Sequence, residues 1–115
     1  MSTRRQQGAD AESQAATFLQ RRGLVIVTQN WQCRTGEIDI VARDGATWVF
    51  VEVRQRRSGR ADAIQSIGPR KIARLVTTAQ YFLEAQACAD ADWRYDVIAI
   101  GSDGISHIVN AIELH

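Results

Sequence analysis

The sequence predicts an α/β domain in which one mixed β-sheet is flanked by helices, in the order α-β-β-β-α-β-β. Three observations carry this. Two helix-forming stretches, residues 3–22 and 69–87, are separated by three β-rich runs, and two more β-rich runs follow the second helix. Asp-Gly pairs at Asp44-Gly45 and Asp103-Gly104 mark tight hairpins. At 115 residues and 45% hydrophobic, the chain can bury one core but not two, so residues 1–115 read as a single domain.

Each element has its own signal. Residues 3–22 are good helix formers and end at Gly23, a C-terminal stop. At about 100° per residue, Gly8, Glu12, Ala15, Ala16 and Leu19 fall on one side, which puts the Glu12 carboxylate in the middle of the core-facing stripe. Burying that charge unpaired would cost several kcal/mol, so Glu12 needs a partner. The runs 24–30 (LVIVTQN) and 36–42 (GEIDIVA) read as strands joined by a polar turn, and 47–54 (TWVFVEVR), bulky on both faces, reads as a central strand. Residues 55–68 are rich in Arg, Gly, Ser and Asp without sustained period, and read as a mobile loop. Pro69 opens the second helix in the favoured first-turn position, and Ile72, Leu75, Val76, Ala79, Phe82 and Leu83 form its apolar stripe. WRYDVIAIG at 93–101 and ISHIVN at 105–110 complete the sheet. Hairpins make the first three strands antiparallel, and the intervening helix permits a parallel crossover to the fourth.

Composition excludes several classes. No run approaches the roughly 20 apolar residues that span a bilayer, and MSTRRQQGAD lacks the apolar centre of a signal peptide. Cys33 and Cys88 have neither CxxC nor zinc-ligand spacing, so free thiols in a soluble, cytoplasmic protein are expected. The net charge of +1 says nothing about nucleic acid, but its distribution does. Residues 54–74 carry Arg54, Arg56, Arg57, Arg60, Arg70, Lys71 and Arg74 against Asp62 alone, a local net of +6 that leaves −5 for the rest. Such a segment can dock on a phosphate backbone or be solvated surface. Trp48, Trp93, Phe50 and Tyr95 are read as core, with Trp31, in a predicted loop, the candidate for base stacking. His107 and His115 lack ligand spacing and receive no role.

The chemistry is expected at paired carboxylates. With a two-residue turn at Asp44-Gly45, Asp39 faces Phe50 and Glu37 faces Glu52. Glu37, Asp39, Glu52 and Arg54 then share one face, with Asp39 and Glu52 diagonal neighbours roughly 5 to 8 Å apart. A three-residue loop would reverse that parity. Like charges this close raise a pKa and destabilise the sheet unless a cation lies between them. Two readings fit the residue types equally: a divalent cation shared by Asp39 and Glu52 with Glu12 completing its shell, or a salt-bridge network with Arg54, Arg34 or Arg43. Glu37 is either an outer carboxylate or a surface residue.

Gly8 with Glu12 (GADAE), Asn30, GEIDIVA, FVEVR, Lys71 and Asp96 in RYDVIAI are motifs of a known group. The chain resembles the YraN-like bacterial proteins of uncharacterised function, from the first helix to Asn110. The resemblance implies a restriction-endonuclease-like core of the PD-(D/E)xK type. It implies a Mg²⁺- or Mn²⁺-dependent phosphodiesterase, with Asp39 and Glu52 in the acidic positions and Glu12 as the helix carboxylate. The motif's lysine position holds Arg54, which stays protonated and cannot act as a base. Lys71, the only lysine, is the candidate replacement.

Two functions are therefore expected. One is a metal-dependent nuclease acting on DNA, branched or otherwise structured, with catalytic Glu12, Asp39, Glu52 and Arg54 and a nucleic-acid surface of Arg56, Arg57, Arg60, Arg70, Lys71 and Arg74. The other is a noncatalytic nucleic-acid-binding or scaffold protein that lost its chemistry with the lysine. A homodimer is compatible with either, and a protein-interaction module is a third class.

Overall fold

The computed structural model describes the backbone of residues 4–114 and the side chains of residues 10–112, so Thr3 and the surroundings of Gly8 lie outside the described residues. The order is α1 (Arg4–Arg21), β1 (Val25–Cys33), β2 (Gly36–Asp44), β3 (Thr47–Arg56), α2 (Arg60–Gln65), α3 (Pro69–Ala85), β4 (Trp93–Gly101) and β5 (Gly104–Ile108), then a 3₁₀ turn at Ala111–Leu114. The strands lie in sequence order across one sheet, antiparallel throughout except for the parallel β3–β4 pair. The predicted mixed sheet flanked by helices is the observed architecture.

The helices cover opposite faces. Ala11, Ala15, Ala16 and Leu19 of α1 pack on Ile40, Ala42, Val49, Val51, Ile98 and Ile100. On the other face, Leu75, Ala79, Phe82 and Leu83 of α3 meet Val41, Trp48, Phe50 and Tyr95. Phe82 centres that layer, edge-on to Trp31, Trp48 and Phe50 at 5.2, 5.4 and 5.5 Å between ring centroids. Pairs of this geometry each contribute about 0.5–1.5 kcal/mol beyond area burial. Trp31 is thus a packing residue on an extended β1, not a loop residue free to stack on bases.

Helix α1 ends as its sequence predicts. The Leu24 N–H reaches the Leu19 carbonyl at 3.1 Å and the Gly23 N–H reaches that of Gln20 at 3.0 Å, a Schellman closure in which Leu19 and Leu24 share the core.

The segment 55–68, expected to be a mobile loop, is largely ordered by tertiary contacts. β3 continues to Arg56, residues 60–65 form α2, and Ala63 and Ile67 are buried. Arg60 holds α2 to the β4–β5 turn: its backbone N–H donates to Asp103 at 3.0 Å and its guanidinium donates to Ser106 at 3.0 Å. A six-residue helix has too few turns to show an apolar period, which is why sequence pattern missed it.

On the α1 face, Asp96 is fully buried and accepts from Arg94 Nε (3.1 Å) and the Asn110 N–H (2.9 Å), with His107 Nε2 at 2.8 Å. Burial alone would raise this carboxyl, but the bonds from His107, Asn110 and Arg94 outweigh it and hold the pKa below the ordinary value. Arg94 also reaches Asp44 at 3.0 Å, on an exposed carboxylate. Asp96→Ala is expected to lower the unfolding free energy by about 3–5 kcal/mol in urea titrations, because it strands buried partners. Asp44→Ala should cost less than about 1 kcal/mol. Equal losses at the two positions would contradict this account.

Candidate metal centre

The β2–β3 hairpin decides where the carboxylates meet. Asp44 pairs with Thr47, so the turn residues are Gly45 and Ala46, and the register is displaced by two residues from the Asp44-Gly45 expectation. Gly45 has φ +60° and Ala46 has no positive φ, the pattern of a II′ turn with glycine first. A shift of two preserves side-chain parity along the paired stretch, so the partners change there and the faces do not. Continued past its last pair, Ile40 with Val51, the register sets Asp39 directly opposite Glu52 and not diagonal to it.

At that point the two strands part. The Asp39 carboxylate accepts the Val53 N–H at 2.8 Å, taking the place of a strand carbonyl. β2 also changes face here. Ile38 packs in the α3-side core and Ile40 in the α1-side core, where strict alternation would put both on one side.

Three carboxylates converge around this break. Single oxygens of Glu12, Glu37 and Asp39 all lie within 4.8 Å of one another. Glu12 comes from α1, placed by the predicted stripe, and Asn30 of β1 hydrogen-bonds its carboxylate. Asn30 holds a left-handed backbone (φ +55°), a conformation asparagine tolerates better than most residues. Glu37, weighed between an outer carboxylate and a surface residue, is a member of the trio, and its spacing of two from Asp39 was the available signal. No ion pair reaches any of the three among the described residues.

Glu52 adjoins the trio through Asp39, with which its side chain hydrogen-bonds. Its side chain is 6% exposed, with Arg54 Nε at 3.2 Å and Lys71 Nζ at 3.8 Å from Oε1. The Arg54 N–H is not aligned for a hydrogen bond, so that contact is electrostatic only. Of the two sequence readings, the salt bridge is found at Glu52, with Arg54, while Glu12, Glu37 and Asp39 have no ion-pair partner among the described residues. Arg43, a proposed partner, instead stacks on Trp48 at 4.4 Å.

Electrostatics mark the place. Burial, then the charge of Asp39, pushes the Glu52 carboxyl up to about 7 despite Lys71 and Arg54. Burial also raises Asp39 against the opposing Val53 N–H, and burial with the Asp39 charge raises Glu12. The Tyr95 hydroxyl, buried without a hydrogen-bond partner, has its ionisation raised by burial and by the fields of Glu52 and Asp39. Carboxylate oxygens from α1 and β2 with no ion-pair partner among the described residues make a donor set that fits a hard divalent ion such as Mg²⁺ or Mn²⁺.

The basic residues do not form one patch. Arg60 is committed to Asp103 and Ser106. Arg56 and Arg57 line a cavity of about 480 Å³ with Asp10, Gln14 and Gln55 on the α1 side. Lys71 and Arg74 line a separate groove on the α3 side, and Arg70 is exposed at the start of α3.

A pH dependence follows. The folded Glu52 keeps its proton to about 7, whereas the unfolded one loses it near the ordinary 4.5, so across that interval the folded state binds more protons. In the absence of divalent ions, stability should fall as pH rises through this window, by about 3 kcal/mol at most, and level off above it. Glu52→Gln should flatten the fall. Urea titrations at several pH values check this, and a rise in stability over the same window would refute it.

Residues 11–100 match the profile of the Uncharacterised protein family UPF0102. A UPF0102 protein of Pseudomonas syringae pv. tomato is 53% identical over 106 residues, covering 90% of this chain and 83% of that one. A UPF0102 protein of Nitrosococcus oceani is 45% identical over 104 residues, 89% of this chain and 84% of that one. One from Geobacter metallireducens is 45% identical over 115 residues, 93% and 92% of the two chains. The chain therefore belongs to UPF0102, the YraN-like family whose motifs its sequence displays.

Proposed function

We propose that the protein is a Mg²⁺- or Mn²⁺-dependent phosphodiesterase acting on DNA. The observation that carries this reading is the convergence of Glu12, Glu37 and Asp39 within 4.8 Å, beside a Glu52 carboxyl poised near neutrality. The cation would be held by Asp39 with Glu12 and Glu37, and Glu52 lies alongside as the second acidic position of the motif. When bound, it supplies a water of lowered pKa and positive charge for the phosphoryl oxygens.

The chain's own groups account for the remainder. The Asp39–Val53 hydrogen bond fixes one carboxylate oxygen of Asp39. Asn30 orients Glu12 from the neighbouring strand. Glu52, with a pKa of about 7, can take a proton from an attacking water at physiological pH. Lys71 stands within 3.8 Å of it and provides the ammonium that Arg54 cannot replace as a proton donor or acceptor. Arg54, half-buried against Glu52, holds positive charge where a phosphate would develop negative charge.

A second reading is favoured by one specific observation, arginine in the motif's lysine position. Under it the protein binds nucleic acid without cutting, and binding survives Asp39→Asn.

The test is cleavage of labelled linear and branched DNA with Mg²⁺ or Mn²⁺. Asp39→Asn should reduce the rate to background, and Lys71→Ala should lower it by roughly 10²–10⁴-fold. Arg54→Lys is expected to restore activity to the Lys71→Ala protein. DNA bound but never cut would select the noncatalytic reading, and cleavage unaffected by Asp39→Asn would remove the proposed centre.

A further inference from the structure

We propose that the groove on the α3 side of the carboxylates is a subsite for the phosphodiester neighbouring the one cleaved, an assignment that rests on the phosphodiesterase reading. The groove encloses about 280 Å³ and is lined by Thr35, Gly36, Glu37, Lys71, Arg74, Leu75 and Thr78. Lys71, Arg74, Leu75 and Thr78 follow i, i+3, i+4, i+7 spacing, so one stripe of α3 faces the β1–β2 turn. That turn supplies the opposite wall.

The groove shares two lining residues with the centre. Glu37 belongs to the carboxylate trio and to the rim, and Lys71 reaches from the groove to Glu52. A nucleic-acid strand whose scissile phosphate lies at the trio therefore has its adjacent phosphate within reach of this stripe. Lys71 is already held by Glu52, whereas Arg74 is exposed and makes no ion pair among the described residues. An unpaired guanidinium over a polar floor matches a phosphate's fork of oxygens.

The floor is built, not incidental. Thr78 is 1% exposed, and its hydroxyl donates to the Arg74 carbonyl at 2.8 Å. Having spent its one proton there, it must accept from Thr35, 2.9 Å away. Thr35 in turn accepts from the Cys33 thiol at 3.3 Å. This chain of bonds ties the turn to α3 and fixes the width of the groove. Gly36 keeps it open: at φ +147° a side chain would be strained, and its Cβ would sit 3.5 Å from the Thr78 hydroxyl.

The experiment is equilibrium binding of DNA by fluorescence anisotropy, with Ca²⁺ in place of Mg²⁺ so that binding is read apart from cleavage. The logarithmic salt slope is measured for the parent and Arg74→Ala on DNA carrying a single uncharged methylphosphonate at successive positions. Arg74→Ala is expected to reduce the slope by about one. One methylphosphonate position should reproduce that loss in the parent and add nothing further in Arg74→Ala. An unchanged slope in Arg74→Ala, or losses that add at every position, would overturn the groove while leaving the phosphodiesterase reading intact. A parent protein that binds no DNA would overturn both.

Discussion

The geometry of the centre depends on the hydrogen bond from the Val53 N–H to the Asp39 carboxylate. Where β2 and β3 separate, a buried backbone donor loses its carbonyl partner, and leaving it unmade would cost about 1–3 kcal/mol. Asp39 supplies the acceptor from its side chain, at 2.8 Å. The same bond brings a charge into a half-buried setting, opposite Glu52 and beside Glu12 and Glu37. An interaction that repairs the sheet thus also concentrates negative charge in it. The cost appears as three raised carboxyl pKa values.

The fold then divides positive charge unevenly around that concentration. Arg54 and Lys71 approach Glu52 from β3 and α3, and both act on Asp39 only at longer range. Asn30, a neutral group, is the partner that β1 offers to Glu12. A protein that merely needed to bury these acids would gain most from an arginine at the trio. Placing the cations one carboxylate away leaves the trio without an ion pair among the described residues, while Arg54 and Lys71 stand at the neighbouring Glu52.

Much of this was legible in the sequence because it depends on period and punctuation. Gly23, Pro69 and the two Asp-Gly pairs mark boundaries that backbone sterics impose locally, and β4 falls on the very residues expected. The stripe through Ala15, Ala16 and Leu19 placed Glu12 at the centre of α1's buried face. What pattern could not supply was set by tertiary contact. The II′ turn at Gly45-Ala46 moved the register by two residues, which kept the faces of the paired stretch but changed every partner. Helix α2 is held by Arg60 on Asp103 and Ser106, far away in sequence. Glu37 entered the trio because β2 turns over at Asp39, a departure from alternation that no residue type announces. His107, given no role from spacing, proved to be a buried partner of Asp96, brought beside it by the β4–β5 pairing.

The unusual backbone of β1 reaches beyond the centre. β1 is an edge strand, paired only with β2 among the described residues, and Val25 and Val27 are 65% and 46% exposed on it. An apolar edge of this kind is a template on which further strands can add. Here the register slips between Ile26 and Thr28, and Asn30 adopts its left-handed turn three residues beyond the exposed Val27. Another strand would have to follow both distortions to continue the ladder. The kink that lets Asn30 reach Glu12 therefore also protects the protein against open-ended self-association, so straightening β1 would cost solubility as well as the orientation of a carboxylate.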